Sequence, residues 1–187
     1  GPRSTGKAPN RTTSRIPLQW HQEGDGETLM KVTIMGLGWF GGALATVKFF
    51  VDRGDAVTVT DLKPACELKD SLDKIKALAV KQMLGEHRED DFTNTDLVVA
   101  SPAVPPSNRF LLLAQKSSIP IETELGITIA NLPAPWIGIT GSAGKTTTVS
   151  MTAAALQAVK RRVWLGGNIG GSLLPKLSDI NKDDLVV

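Results

Sequence analysis

Gly141-Ser142-Ala143-Gly144-Lys145-Thr146-Thr147 is the stretch of the sequence best suited to chemistry. Read with Gly138 as its opening glycine, it is a shortened relative of the G-x-x-x-x-G-K-[ST] loop, set between the strand-like run Trp136-Ile137-Gly138-Ile139 and a helical stretch. Consecutive backbone N–H groups in such a loop form a nest around phosphate oxygens. Lys145 then supplies a point charge to the outer phosphates, and the Thr146 hydroxyl is placed to bind magnesium.

A different glycine loop stands near the start. Gly36-Leu37-Gly38-Trp39-Phe40-Gly41 follows the apolar run Val32 to Met35 and leads into a helical stretch, the arrangement in which a helix N-terminus meets a nucleotide's phosphates. Asp61 ends the next apolar run about 20 residues beyond Gly41, where an acid can accept a hydrogen bond from a ribose hydroxyl. The same glycines would also serve tight helix–sheet packing, with Asp61 a solvated strand-end carboxylate. Trp39 and Phe40 either cover a ligand or pack under a neighbouring loop.

Two further loops carry weaker signals. Gly166-Gly167-Asn168-Ile169-Gly170-Gly171 frees the backbone to approach a ligand, or is a flexible solvent loop. Ser101-Pro102-Ala103-Val104-Pro105-Pro106-Ser107 lies at a strand end, where open α/β sheets bind ligands; the plainer reading has prolines stiffening a crossover and Ser107 capping the next helix.

The elements that must position these loops alternate between short apolar runs and helical stretches, the pattern of a parallel α/β sheet. Strands are expected at 32–35, 56–60, 97–100, 119–121, 136–139, 162–165 and 185–187, and helices at 42–52, 67–81, 108–116 and 145–159. Residues 131–135, with two prolines, read as a linker. Residues 1–29, rich in Gly, Pro, Ser, Thr and Arg without periodicity, read as a disordered extension or an expression remnant.

Composition narrows the function. With 41% hydrophobic residues in 187, the chain has the means to bury a core. A formal charge of +2 without a basic stripe argues against nucleic acid. Cys66 has no second cysteine to pair with, and His21 and His87 lie too far apart in sequence to make a metal motif, which fits a reducing cytoplasm. No apolar run approaches the roughly 18 to 20 residues that span a bilayer.

Taken in order from about Lys31 to Val187, the motifs resemble the Mur ligase family. They are Gly36-Leu37-Gly38, Asp61-Leu62-Lys63, Ser101-Pro102 with Val104-Pro105, Ile121 to Leu125 with Glu122 and Glu124, Gly138 through Thr148, and Gly167-Asn168-Ile169-Gly170. The resemblance implies a Rossmann-like domain for a UDP-linked substrate over 30–132 and the first part of a central P-loop ATPase domain over 133–187. It also implies an ATP- and Mg2+-dependent ligase of peptidoglycan precursor synthesis, a cytoplasmic monomer. Within the family the likeness is nearest to members that join D-glutamate to UDP-N-acetylmuramoyl-L-alanine through an acyl phosphate. Gly38, Trp39, Phe40, Asp61, Leu62 and Lys63 would then surround the uridine diphosphate, and Ser101, Pro102 and Asn168 the muramoyl path. Gly141, Ser142, Ala143, Gly144, Lys145, Thr146 and Thr147 would hold ATP, with Lys145 and Thr146 in catalysis and Thr146 on the metal.

Ala103 stands where the family usually has glycine, and Ala143 where its loop often has asparagine. The resemblance also places a magnesium-binding glutamate, a histidine, a carbamylated lysine and a third domain beyond Val187, so the 187 residues are not expected to catalyse alone. Other readings are a sister ligase adding L-alanine to UDP-N-acetylmuramate, a non-catalytic nucleotide-sensing module, and an NAD-dependent oxidoreductase, which the second glycine loop disfavours.

Overall fold

The structure, a computed structural model, describes residues 29–38 and 41–187. Trp39, Phe40 and all of the expected extension except Leu29 lie outside the described residues. Five strands make one parallel sheet in the order β3-β2-β1-β4-β5: β1 (Lys31–Met35), β2 (Ala56–Asp61), β3 (Val80–Leu84), β4 (Leu97–Ala100) and β5 (Ile121–Glu122). Around it lie α1 (Gly42–Asp52), α2 (Lys69–Ile75), the single turn α3 (Asp90–Thr93), α4 (Arg109–Lys116) and α5 (Glu124–Asn131). Then come α6 (Lys145–Ala158), β6 (Val163–Trp164), a 3-10 segment at Leu174–Asp179, and β7 (Leu185–Val186), which pairs parallel with β6 in a sheet of its own.

The central strands are apolar because both of their faces are covered. β1 buries every residue after Lys31, and β4 buries all of its residues. Alternate side chains leave the sheet on opposite sides, so Val32, Ile34, Leu97 and Val99 join Val47 and Phe50 of α1 in one core. Met35 and Val98 join Phe92, Phe110 and Leu111 in another.

Several expected elements differ. The helix expected over 67–81 is a 3-10 turn at Ala65–Glu67, then α2, then β3. Its lysines, leucines and alanines are good helix formers, but Val80 to Leu84 gain more by extending the ladder along Val57 to Asp61. The strand expected over 119–121 is shifted to Ile121–Glu122, since Pro120 has no N–H to give the ladder and contributes only its carbonyl, to Val98 N at 3.0 Å. Asn108, not Ser107, caps α4, its side chain accepting from Phe110 N at 2.9 Å. The linker expected over 131–135 begins inside α5, whose cap is the Thr123 hydroxyl accepting from Gly126 N. Its Ala134 is buried in a third small core with Leu173, Ile180 and Val186.

The strand expected over 136–139 is reduced to one parallel bridge, Trp136 to Val186, with Ile137 N donating to Val186 O at 2.8 Å. Pro133 and Pro135 just upstream cannot donate to a ladder, so regular pairing begins late.

Phe92 is fully buried, its ring centroid 5.0 Å from Phe110 and 5.7 Å from His87. Phe92→Ala is expected to cost about 3–5 kcal/mol of unfolding free energy by leaving a cavity at this junction. Chemical denaturation of the two chains measures it, and a loss below about 1 kcal/mol would show that the site collapses around the smaller side chain.

Candidate functional site

The order β3-β2-β1-β4-β5 makes the chain reverse direction across the sheet beside β1, and the loops after β1 and β4 part there. At that point Gly36 has φ +88°, and a Cβ on it would stand 3.0 Å from the Cβ of Ser101. Only glycine lets these two loops approach so closely. Gly36 N bonds to Thr60 O and Ser101 N to Met35 O, so the first glycine loop is held by the strands on both sides.

Asp61 is buried and fixes the loop from below. One carboxylate oxygen accepts from Leu37 N and the other from Lys63 N, each at 2.9 Å. The residue expected to meet a ribose thus already has both oxygens engaged in joining two loops. Gly38 and Asp61 to Lys63 lie together at this edge, with Leu62 exposed; Ser71 Oγ donates to Gly38 O at 3.1 Å. Gly38 also borders a cleft of about 360 Å³ along Cys66 to Ser71. Ser101 and Pro102 border a larger one, about 480 Å³, between the 101–106 loop and Leu111, Ile121 and Glu122. Burial raises the Glu122 pKa, against the lowering pull of the Thr123 backbone N–H. Trp39 and Phe40, expected at this site, are not among the described residues.

His87 carried no signal beyond the absence of a second ligand. It follows β3 at the same edge, with Nδ1 2.7 Å from Thr60 Oγ1 and its ring edge-on to Phe92 and Phe110. Burial lowers its pKa against the raising pull of Asp61 and Asp91.

The second glycine loop sits on the smaller sheet. β7 pairs parallel with Trp136 on one side and with β6 on the other, so the loops after Ile139 and after Leu165 leave the same carboxyl edge and flank β7. This brings Gly141 to Thr147 and Asn168 to one rim of the second sheet; Asn168 is exposed in a turn closed by Gly167 N donating to Gly171 O at 3.0 Å. The opening glycine expected at Gly138 is a misalignment: Ile139, Thr140, Gly141, Ser142 and Ala143 separate it from Gly144, one more than the pattern allows. The loop is the shorter G-x-x-G-K-T, Gly141 to Thr146. Gly144 takes φ +76° as the residue before α6, a left-handed turn that glycine adopts without strain. Lys145 Nζ turns back over the loop and donates to Gly141 O, while Thr146 and Thr147 stay exposed in the first turn.

Helices α1 and α6 differ from the others in how they begin. Each is preceded by a left-handed glycine, lacks a side-chain cap and has no acidic residue in its first turn. By contrast α4 and α5 are capped by side chains, and α2, α3 and α5 carry acids there. The positive ends of α1 and α6 are thus left for an external anion. Among the described residues no group of three or more His, Cys, Asp or Glu is placed to hold a metal. A magnesium ion would have the Thr146 hydroxyl and a ligand's phosphates, a set that fits this cation's preference for few protein ligands. No helix of the described residues is long and apolar enough to cross a membrane.

Fold and loops define an α/β protein with two strand–glycine loop–helix units on separate parallel sheets. Residues 30–123 match the family model for the N-terminal domain of MurD-like Mur ligases, and the chain belongs to that family. The UDP-N-acetylmuramoylalanine--D-glutamate ligase of Roseiflexus sp. (strain RS-1) is 39% identical over 157 residues, covering 84% of this chain and 34% of that protein. The protein of the same name from Treponema pallidum (strain Nichols) is 40% identical over 139 residues, 73% of this chain and 26% of its own. The chain therefore spans about a third or less of these relatives. Among solved structures, a pseudomurein peptide ligase type C from Methanothermus fervidus overlaps 84% of this chain and 32% of its own at 25% identity and a TM-score of 0.49, too loose an overlap to bear on function.

Two outcomes test the first loop's supports. Asp61→Asn leaves one acceptor oxygen for two amides, and the orphaned N–H should cost about 1–3 kcal/mol in denaturant unfolding; an unchanged midpoint would mean the loop holds itself. For His87 the fold favours the neutral ring, so below the ordinary value of 6.5 the unfolded chain takes up the proton first and stability falls with pH. His87→Gln should lose less thermal stability than wild type between about pH 7.5 and 5.5, and parallel curves would place that titration elsewhere.

Proposed function

We propose that this sequence belongs to an ATP- and Mg2+-dependent ligase that joins D-glutamate to UDP-N-acetylmuramoyl-L-alanine in peptidoglycan precursor synthesis. The observation that carries the reading is Gly141 to Thr146 opening α6 with an uncapped first turn, in a chain whose N-terminal half belongs to the MurD-like family. Relatives named for D-glutamate addition favour that amino acid over the L-alanine of a sister ligase. In this reading residues 30–132 bind the UDP-linked substrate and 133–187 begin the ATP-binding unit, in a cytoplasmic, monomeric enzyme.

The chain's own residues have distinct tasks. Gly38, Trp39, Phe40 and Asp61 to Lys63 receive the uridine diphosphate, Asp61 acting through the backbone it holds. Ser101, Pro102 and Asn168 guide the muramoyl part toward the second loop. The amides of Gly141, Ser142, Ala143, Gly144, Lys145, Thr146 and Thr147 bind phosphate oxygens, and α6 adds the field of its positive end. Lys145 exchanges the Gly141 carbonyl for a phosphate oxygen and neutralises charge that grows as the phosphoryl group moves, which is where most catalysis of this kind lies. Thr146 contributes its hydroxyl to magnesium. When bound, ATP with magnesium supplies the phosphoryl group that activates the substrate carboxyl for attack by the amine.

Lys145→Ala in the full-length ligase is expected to lower kcat by about 100-fold or more while KM for the UDP-linked substrate changes little. Phosphate release with UDP-N-acetylmuramoyl-L-alanine, D-glutamate and ATP measures it. Wild-type protein that releases no phosphate under these conditions overturns the assignment.

A further inference from the structure

Glu124 opens α5 without serving as its cap, since Thr123 already accepts from Gly126 N. Its Oε1 accepts instead from two hydroxyls: Thr128 Oγ1, one turn along at 3.0 Å, and Ser172 Oγ, 48 positions away in sequence. Ser172 follows the glycine loop 166–171 directly, and its hydroxyl also accepts from Leu174 N at 3.2 Å, at the start of the 3-10 segment. From there Leu174 and Leu177 pack into the core around α1. The same carboxylate lies over the first residue of α1: a Cβ on Gly42 would stand 3.7 Å from Glu124 Cγ and 3.8 Å from Oε2. One side chain therefore touches the helix that follows the first glycine loop and the residue that closes the loop of Asn168.

Neither contact is one that a solvated acid in a helix's first turn would make. A carboxylate accepts and never donates, so two hydroxyls can share one of its oxygens while Ser172 keeps its own lone pair for Leu174 N. Such charge-assisted bonds are about twice as strong as neutral ones. We propose that Glu124 is a positioning residue: through Ser172 it fixes the 166–171 loop, and with it Asn168, relative to α1 and the first glycine loop. The inference rests on the ligase reading above, in which a substrate held at the first loop must reach the second in register.

In the full-length ligase, Glu124→Ala should lower kcat about 10- to 100-fold, the scale of a 1 Å misplacement, with KM for ATP and for the UDP-linked substrate within about 2-fold. Ser172→Ala should do the same, and the double variant no more than either single, because both remove one link. Glu124→Gln, which keeps an acceptor oxygen, should stay within about 3-fold of wild type. Multiplying losses in the double variant, a loss carried by KM, or wild-type kcat in Glu124→Ala would each overturn the proposal. A readout independent of turnover is amide exchange in the 187-residue chain: Glu124→Ala and Ser172→Ala should each speed exchange over 166–171 and leave β1 and β4 unchanged, and unaltered exchange in both overturns it. If wild-type enzyme makes no amide, the ligase reading falls, while the exchange measurement still decides whether Glu124 holds the loop.

Discussion

Strand β1 is hydrogen-bonded along both edges, to β2 from Lys31–Ala56 through Met35–Thr60 and to β4 from Val32–Leu97 through Met35–Ala100. In a parallel sheet all strands point the same way, so this pairing delivers the loops that begin at Gly36, Leu62 and Ser101 to one rim. The separations left by the strands are then closed by particular groups: a missing Cβ at Gly36 facing Ser101, and the carboxylate of Asp61 between Leu37 and Lys63. Shifting β1 by one residue would turn Val32 and Ile34 to the wrong core, which is why this register is strongly specified.

The smaller sheet repeats the same logic with less material. Trp136, β7 and β6 pair in parallel, and both glycine loops of this unit leave from one edge. It is joined to the larger unit by burial as well as by Glu124: Leu174 is 3% exposed in the core that contains Val47 and Phe50 of α1. Asp184 steadies its interior, accepting from Asn181 N at 3.0 Å and from Trp164 Nε1 at 2.8 Å, bonds that hold its carboxyl below the usual carboxylate range.

The elements legible in the sequence are those whose signal is local. β4 is an unbroken apolar run, β1 after Lys31 is one interrupted only by Thr33, and α1 and α6 follow glycines that only a strand–loop–helix turn requires. What was not legible depended on distant partners. β3 leaves much of itself exposed and does not read as a strand until β2 offers it a ladder, and its first two residues, Val80 and Lys81, fall in the expected helix. Asp61 reads from the sequence as an acid for an external partner, because a sequence cannot show that Leu37 N lies within reach. His87 and the Glu124–Ser172 link involve residues from separate elements, and no spacing rule joins them.

In the proposed function, the first turns of α1 and α6 are what would let a nearly neutral chain hold anions. With a net charge of +2 spread over 187 residues, no long-range field draws a polyphosphate in. On that proposal the attraction is local, from backbone N–H groups that no side chain caps, at helices whose first turns exclude acids. With glycine at the cap position, as at Gly41 and Gly144, forgoing a Ser, Thr, Asp or Asn cap costs only about a few tenths of a kcal/mol. Glu124 fits the same scheme although it is an acid set close against α1. Its Oε1 is taken up by the hydroxyls of Thr128 and Ser172, and its place is in α5 rather than in the turn that follows the glycines. Negative charge thus serves to join the two units, with Oε2 of Glu124 set beside the first residue of α1.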